Sequence, residues 1–384
     1  MNSQQLEATE RTRVPRHIPY LDGLRGGAAL YVVLHHALLQ SIPHPPIHPH
    51  SPIEWMMKLL LGGRVAVDLF IVLSGFSLMI PVVRNQGRLP GGAKTFYFKR
   101  AKRVLPPYFA ALFLSLLLIK TFIGKPTGTH WDSSLPVTAK AIVTHLLLIQ
   151  DLFTDTSGKI NHTLWSISVE WRIYLLFPAI LWLWRRVNPM NAAFLILLVS
   201  YSLLAIIPAS GIDIRAISPH YFGLFAMGMI AAELCYNENE LYRKIRDRIH
   251  WKTIALFLLI LAMTQGWRVQ WFAEDLIIGV ASASLLVGLS LDAKSPINRL
   301  LCWKPLVFIG GFAYSIYLFH APILQIFSQY LLPGFHLSQQ GRFLATLTAG
   351  ALLSLVCSYA FYLLFEKPSL SYRKPEPSPI PELV

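Results

Sequence analysis

Charge is scarce in this 384-residue sequence: 14% of its residues are Asp, Glu, Lys or Arg, where a soluble domain carries about a quarter. A soluble protein of this length needs a charged shell that so few ionisable residues barely supply. Cysteine is scarce too. The three present, Cys235, Cys302 and Cys357, sit in or beside apolar stretches without metal-type spacing, so neither a disulfide framework nor a zinc site is expected from them. No P-loop, H-E-x-x-H or G-x-G-x-x-G fingerprint occurs, and no G-x-S-x-G elbow or internal repeat. His44, His48 and His50 lie close together, but in a Pro-rich loop that opposes a compact site, and no metal is expected.

Apolar residues make up 54% of the chain and gather in runs of about 15 to 25, the length that crosses a hydrocarbon layer of ~30 Å. This predicts an all-α, polytopic integral membrane protein. Eleven runs qualify: 26–39, 65–83, 104–123, 137–153, 164–184, 192–208, 220–236, 253–266, 275–291, 305–332 and 343–365. The first follows Arg11, Arg13 and Arg16 as a signal peptide would, but no A-x-A-like site follows it, so cleavage is not expected.

The net charge of +14 invites a nucleic-acid reading. Its placement excludes one, because the basic residues lie in short clusters between apolar runs rather than on one surface or arm. Cytoplasmic flanks of membrane proteins are rich in Lys and Arg. If 137–153 does not cross, 24 of the 34 basic residues fall on one side. About ten spans with both termini cytoplasmic are therefore expected. The remaining run, which contains Lys140, His145, Gln150 and Asp151, is expected as an outer re-entrant or interfacial segment. The predicted organisation is a cytoplasmic tail over 1–18, one membrane domain over 19–372 and a Pro-rich tail over 373–384, in the cell membrane among its lipids.

An ionisable side chain near the bilayer centre costs at least about 2.5 kcal/mol, which makes each one a functional candidate. The candidates are His36, Asp68, Glu170, Arg172 and His320, with Arg25 at a cytoplasmic edge. Arg25 and His36, eleven residues apart, lie within about 20° of one helical face and ~16 Å apart along the axis. His35 points about 80° away. The cation can therefore hold a phosphorylated cytoplasmic ligand while His36 handles a proton deeper in the membrane; hydrogen bonding between helices accounts for the histidines equally well.

Asp68 needs a partner that the sequence does not name, while Ser74 and Gly75 form a small-residue pair suited to close helix approach. Arg100 and Arg103 share a helical face beside a span that starts at Pro106 and Pro107. They suit either anionic lipid heads or a phosphate. Trp165 and Trp171 read as an interfacial belt enclosing Ser166 and Glu170, with Arg172 able to neutralise the acid. Further on, Tyr314, Tyr317 and His320 precede Pro322, which is expected to free a backbone carbonyl. The H-x4-D arrangement of soluble glycerolipid acyltransferases is absent: Asp151 follows His145 one residue too far, and His162 has no acid at that spacing.

In order, these segments resemble the acyltransferase 3 family of integral membrane acyltransferases. Leu21-Asp22-Gly23-Leu24-Arg25-Gly26 with His36 is similar to the family's opening. Val67-Asp68-Leu69-Phe70 through Ser74-Gly75-Phe76 matches its next block, with Ile71 in place of the usual Phe. Arg100, Arg103 and Pro106 fit R-x-x-R-x-x-P, and Trp165 through Trp171 fits W-S-L-S-V-E-W. Tyr317, His320 and Pro322 fit Y-L-x-H-x-P, and Phe365-Glu366-Lys367-Pro368 the closing element.

The resemblance implies an enzyme that moves an acetyl or other short acyl group from cytoplasmic acyl-CoA to a hydroxyl of a cell-surface glycan, such as an O-antigen, an exopolysaccharide or a lipid-linked precursor. Acyl-CoA would be a co-substrate, with no tightly bound cofactor. It places His36 and Glu170 in catalysis and Arg25, Arg100 and Arg103 at the donor. Asp68, Ser74, Trp165, Ser166, Tyr317 and His320 fall to the acceptor or to support. The esterase-like domain fused in some members is not found in this sequence, so a separate periplasmic or extracellular transferase is the implied partner. Two other readings stay open: acylation of a secreted small molecule such as a macrolide, and a proton-coupled transporter or flippase, since intramembrane His, Asp and Glu also mark proton pathways.

Overall fold

The computed structural model describes residues 17–42, 50–206, 217–265 and 271–370. The predicted tail over 373–384, nearly all of the tail over 1–18, the cluster Arg11, Arg13 and Arg16, and His44 and His48 lie outside the described residues. Among the described residues there are helices and no strands. The principal helices are α1 (Pro19–Ser41), α2 (Gly63–Arg84), α3 (Gly92–Leu118), α4 (Trp165–Arg186), α5 (Pro189–Ile206) and α6 (Tyr221–Tyr236). They continue with α7 (Trp251–Gln265), α8 (Trp271–Leu291), α9 (Lys304–Gly310), α10 (Ala313–Ile326), α11 (Gln339–Ala345) and α12 (Ala351–Phe361).

Among the described residues, five helical runs are long and apolar enough to cross a membrane: Pro52–Arg84, Gly92–Ile123, Trp165–Arg186, Trp271–Leu291 and Gln339–Leu370. A sixth is the pair α9 and Ala313–Phe335, bent by 77°. The sequence predicts one continuous span there. The break falls at Gly310 and Gly311, the residues least able to hold a helix straight. Shorter apolar helices occupy 189–204, 221–236 and 251–263. Helix α1 has the length to cross, at 23 residues, but carries Asp22, Arg25, His35, His36 and Gln40. Those polar groups are sheltered by protein, since α1 packs against α2, α9 and α10.

The outward sides of the long helices carry exposed Phe113, Leu117, Trp182, Phe257, Leu352 and Leu364. Such a belt is unfavourable in water and natural against lipid tails. Inside, two backbone-to-backbone crossings set the helix positions. A Cβ at Gly75 would strike the Phe225 carbonyl and one at Gly228 the Val72 carbonyl, so α2 and α6 touch through glycines. Gly26 and Gly310 likewise bring α1 onto α9. Gly75 thus fulfils the small-residue role expected of it, while Ser74 faces elsewhere.

One helix start differs from the expected span, and the 137–153 run takes a short form. The helix begins earlier than the span expected from Pro106: α3 starts at Gly92 and carries Arg100 and Arg103, on a helix as expected, together with Pro106 and Pro107. The 137–153 run forms only the helix Ala139–Leu146, of 8 residues, followed by a short turn at Gln150–Leu152. Eight residues rise about 12 Å, too little to cross ~30 Å.

Candidate active site

Helices α1, α2, α3, α4 and α10 enclose a cavity of about 270 Å³. Seven of the eleven residues given a role by the resemblance line it: Arg25, Ser74, Arg100, Arg103, Ser166, Glu170 and Tyr317. They come from five separate helices, and only the fold brings them together.

Arg25 is fixed by Asp22 at 2.7 Å, one turn back on α1, and by the Ser77 hydroxyl of α2 at 2.7 Å. The Arg100 guanidinium lies between the rings of Phe96 and Tyr174, each 5.9 Å from its centroid, and its buried Nε–H has no hydrogen-bond partner. An unused donor on the wall of a cavity with two further arginines suits an anionic ligand. Across the cavity the Tyr174 hydroxyl donates to the Glu170 carboxylate and accepts from Ser74 at 2.9 Å. Arg172, the expected neutraliser of Glu170, instead pairs with Asp151 at 2.5 Å and donates to the Ile217 carbonyl. The register explains this, since residues two apart on a helix point to different sides.

The wall toward the far end of α1 is closed by Tyr317, whose hydroxyl meets Ser166 at 2.6 Å. One turn on, His320 contacts the Tyr317 ring, with centroids 6.3 Å apart. Its Nδ1–H donates to the Ile316 carbonyl at 2.8 Å, leaving Nε2 as the acceptor for His36 Nδ1–H at 3.0 Å. His36 Nδ1 also lies 3.0 Å from the Val32 carbonyl. That network assigns the proton to His36 Nδ1 and leaves its Nε2 lone pair free. His36 does not itself line the cavity; it stands behind Tyr317 and is reached through His320. His35 turns away as predicted and is bound to the Leu60 carbonyl at 2.7 Å. Pro322 frees the carbonyl of Leu318, and Asn161 takes it at 3.0 Å, tying the segment before α4 to α10.

Asp68 and Trp165 lie outside the cavity. Asp68 is in electrostatic contact with Asp275 and Arg64. Asp275 in turn is ion-paired with Arg64 and lies 2.9 Å from His220. Trp165 packs on Tyr221, with centroids 6.0 Å apart. These form a second polar cluster beside the site.

In the segment linking α3 to α4, outside the crossing helices, burial dominates titration. His130 and His145 are pushed down to about 4, and Asp151 is pushed up to about 6 against the pull of Arg172. His162 is held well below the usual imidazole value by burial and by neighbouring imidazoles.

The family profile described as an acyltransferase domain matches residues 18–363. The chain belongs to the acyltransferase 3 family. Among relatives of this family, the O-acetyltransferase OatA of Staphylococcus aureus is 27% identical over 358 residues, covering 87% of this chain and 55% of its own length. The putative peptidoglycan O-acetyltransferase YrhL of Bacillus subtilis is 24% identical over 339 residues, covering 82% and 50%. The peptidoglycan O-acetyltransferase OatA of Listeria monocytogenes is 22% identical over 333 residues, covering 81% and 50%. The chain thus spans about half the length of the curated relatives it matches. No solved structure matches it.

Sequence reasoning gave no role to several residues of this candidate site. Tyr174 and Ser77 line the cavity, as does Glu366, which accepts from the backbone and hydroxyl of Ser315. Tyr174 stands one turn from Glu170, a spacing visible in the sequence. His130 and His162, whose rings lie 5.8 and 5.0 Å from that of His36, carried no such signal.

Proposed function

We propose that this chain is a membrane O-acyltransferase that moves an acetyl or other short acyl group from cytoplasmic acyl-CoA to a hydroxyl of a cell-surface glycan. One observation carries the reading: Arg25, Arg100 and Arg103 meet in a single cavity whose opposite wall, Tyr317, leads to the His320–His36 pair. The names of the relatives support acetyl as the group and peptidoglycan as a glycan of the right class.

With ten spans and both termini in the cytoplasm, the arrangement the basic clusters favour, the arginine end of the cavity faces the cytoplasm. In this reading the spans are the five long runs, the bent pair, the three shorter apolar helices and α1. About 270 Å³ is at the small end of ligand pockets. It takes the acyl end of the donor, with the arginines gripping phosphates at the mouth and the nucleotide outside. His36 Nε2 then removes the proton from the acceptor hydroxyl as the oxygen attacks the thioester carbonyl. The carbon–sulfur bond breaks and the thiolate leaves, taking up a proton. His320 holds His36 in the tautomer this requires, and Glu170 with Tyr174 and Ser74 orients the groups around the carbonyl.

With purified protein, acyl-CoA and a glycan acceptor, His36→Ala is expected to lower turnover by about 10²-fold or more, the usual worth of a general base, while His35→Ala stays near wild type. Arg25→Ala is expected to raise the half-saturating acyl-CoA concentration and leave that of the acceptor unchanged. Full activity in His36→Ala, or an Arg25→Ala defect confined to the acceptor, would overturn the assignment. Vectorial movement of solute in proteoliposomes without acyl transfer would favour a transporter.

A further inference from the structure

Behind Tyr317 lies a cluster that acyl transfer does not fully use. His36 is surrounded by the rings of His130, His162 and His320, with centroids 5.8, 5.0 and 5.0 Å away, and His130 and His162 are 4.5 Å apart. No carboxylate is among the groups acting on His36; its electrostatic neighbours are all imidazoles. Bringing several imidazoles together in a low-dielectric site gains nothing from their mutual interaction as bases, because each resists protonation of the others. Their shared property is a lone pair.

One ring nitrogen from each of His36, His130 and His162 lies within 4.8 Å of the other two. A tetrahedral zinc with bonds of about 2.0–2.1 Å to nitrogen sets its ligands about 3.3–3.4 Å apart, a contraction that modest side-chain rotations supply. Histidines that bind metals anchor the opposite ring nitrogen on a carbonyl, carboxylate or hydroxyl. Here His36 is held by Val32 and His320 through Nδ1, and His162 by the Ser134 hydroxyl through Nδ1 at 3.1 Å. Each leaves Nε2 for the cluster. The Nε2 of His162, a residue 9% exposed, is buried without any hydrogen-bond partner. A buried polar atom left unsatisfied calls for an explanation, and an unrecorded ion is one.

We propose that His36, His130 and His162 form a binding site for a divalent transition-metal cation of the zinc class, with the fourth position open. Three neutral imidazoles and an open position make a complete zinc donor set. His320 is the positioning residue that orients His36. The ion would be held by residues from α1, from the segment joining α3 to α4, and from the turn preceding α4. Metal binding would therefore bridge that segment to the helical core and, by occupying His36 Nε2, would block the base role proposed above, so the ion-bound protein is expected not to transfer acyl groups.

The test is Co²⁺ titration of the purified full chain in detergent, with any affinity tag of histidines removed, read by visible d–d absorption. Wild type is expected to show the bands of a tetrahedral site saturating at one equivalent and displaced by Zn²⁺. His130→Ala, at a partly exposed position, and His162→Gln, which preserves bulk, are each expected to weaken binding at least tenfold. Zn²⁺ is expected to raise the melting temperature of wild type and not that of His130→Ala. His48→Ala, in the Pro-rich loop, is expected to bind like wild type. Absence of a saturable cobalt spectrum in wild type overturns the proposal. So does undiminished affinity in both cluster variants, or loss of binding in His48→Ala, which would move the metal to the loop.

Discussion

His145 shows how strongly one buried side chain can tie this protein to pH. It is fully buried, with Nδ1 2.7 Å from the Ala141 carbonyl. The carbonyls of Ala141 and Lys159 favour its proton, but burial outweighs them and lowers the pKa from 6.5 to about 4. An imidazole held neutral in the fold supports the fold fully above pH 6.5, and that support is lost as pH falls toward 4. Asp151 acts in the opposite sense: its carboxyl, raised by burial from 3.8 to about 6 despite Arg172, favours the fold increasingly as pH falls below 6. Comparing wild type with His145→Gln isolates the imidazole. The melting temperature of the variant is expected to gain on wild type as pH is lowered from 7 to 5, and a constant difference across that range would contradict the assignment. The same two residues show what was legible. Glu170 and His320, with Arg25 at the edge of its run, stood out because an ionisable group in an apolar run is costly and needs a reason. His130 and His162 lie in polar stretches, and His145 and Asp151 in the run set aside as non-crossing, where such residues are ordinary; only folding buries them.

Among the elements, apolar runs marked out helices well, and crossing points poorly. Run length and polarity suffice to locate a helix, whereas the partner of a small residue depends on which helix arrives opposite it. Gly75 was readable as a close-approach residue, but that Phe225 of α6 would cover it was not. Nor did the 305–332 run disclose its 77° bend, although Gly310 and Gly311 supply the weak point. The crossing makes a direct prediction. Gly75→Ala inserts a methyl group into the Phe225 backbone carbonyl, and overpacking of this kind costs about 1–3 kcal/mol. Gly27, on α1, has nothing within 4 Å of an added Cβ, so Gly27→Ala is expected to be neutral or slightly stabilising through helix propensity. Thermal unfolding in one detergent should therefore separate the two variants, Gly75→Ala melting lower than wild type and Gly27→Ala not. Equal melting temperatures would mean that α2 and α6 are not in backbone contact.

At the scale of the whole molecule, scarce charge and a basic surplus describe one arrangement, and one short helix determines its handedness in the membrane. If Ala139–Leu146 fails to cross, α4 enters from the outer side, and the clusters at 185–186 and 243–252 join the basic residues at 84–103 in the cytoplasm. If it crosses, every later helix reverses. Its rise of about 12 Å argues against crossing. Three exposed lysines test the arrangement: Lys94 near the start of α3, Lys125 beyond its end and Lys244 after α6. In a chain freed of Cys235, Cys302 and Cys357, each is replaced singly by cysteine and challenged on intact cells with a membrane-impermeant thiol reagent. Lys125→Cys is expected to be labelled, and Lys94→Cys and Lys244→Cys only after the cells are opened. Labelling of Lys244→Cys on intact cells with Lys94→Cys still protected would show that the chain crosses once more between α3 and α4. It would then leave His130 on the outer side and put His162 on the donor's face, which is incompatible with the 4.5 Å contact of their rings and would break up the cluster.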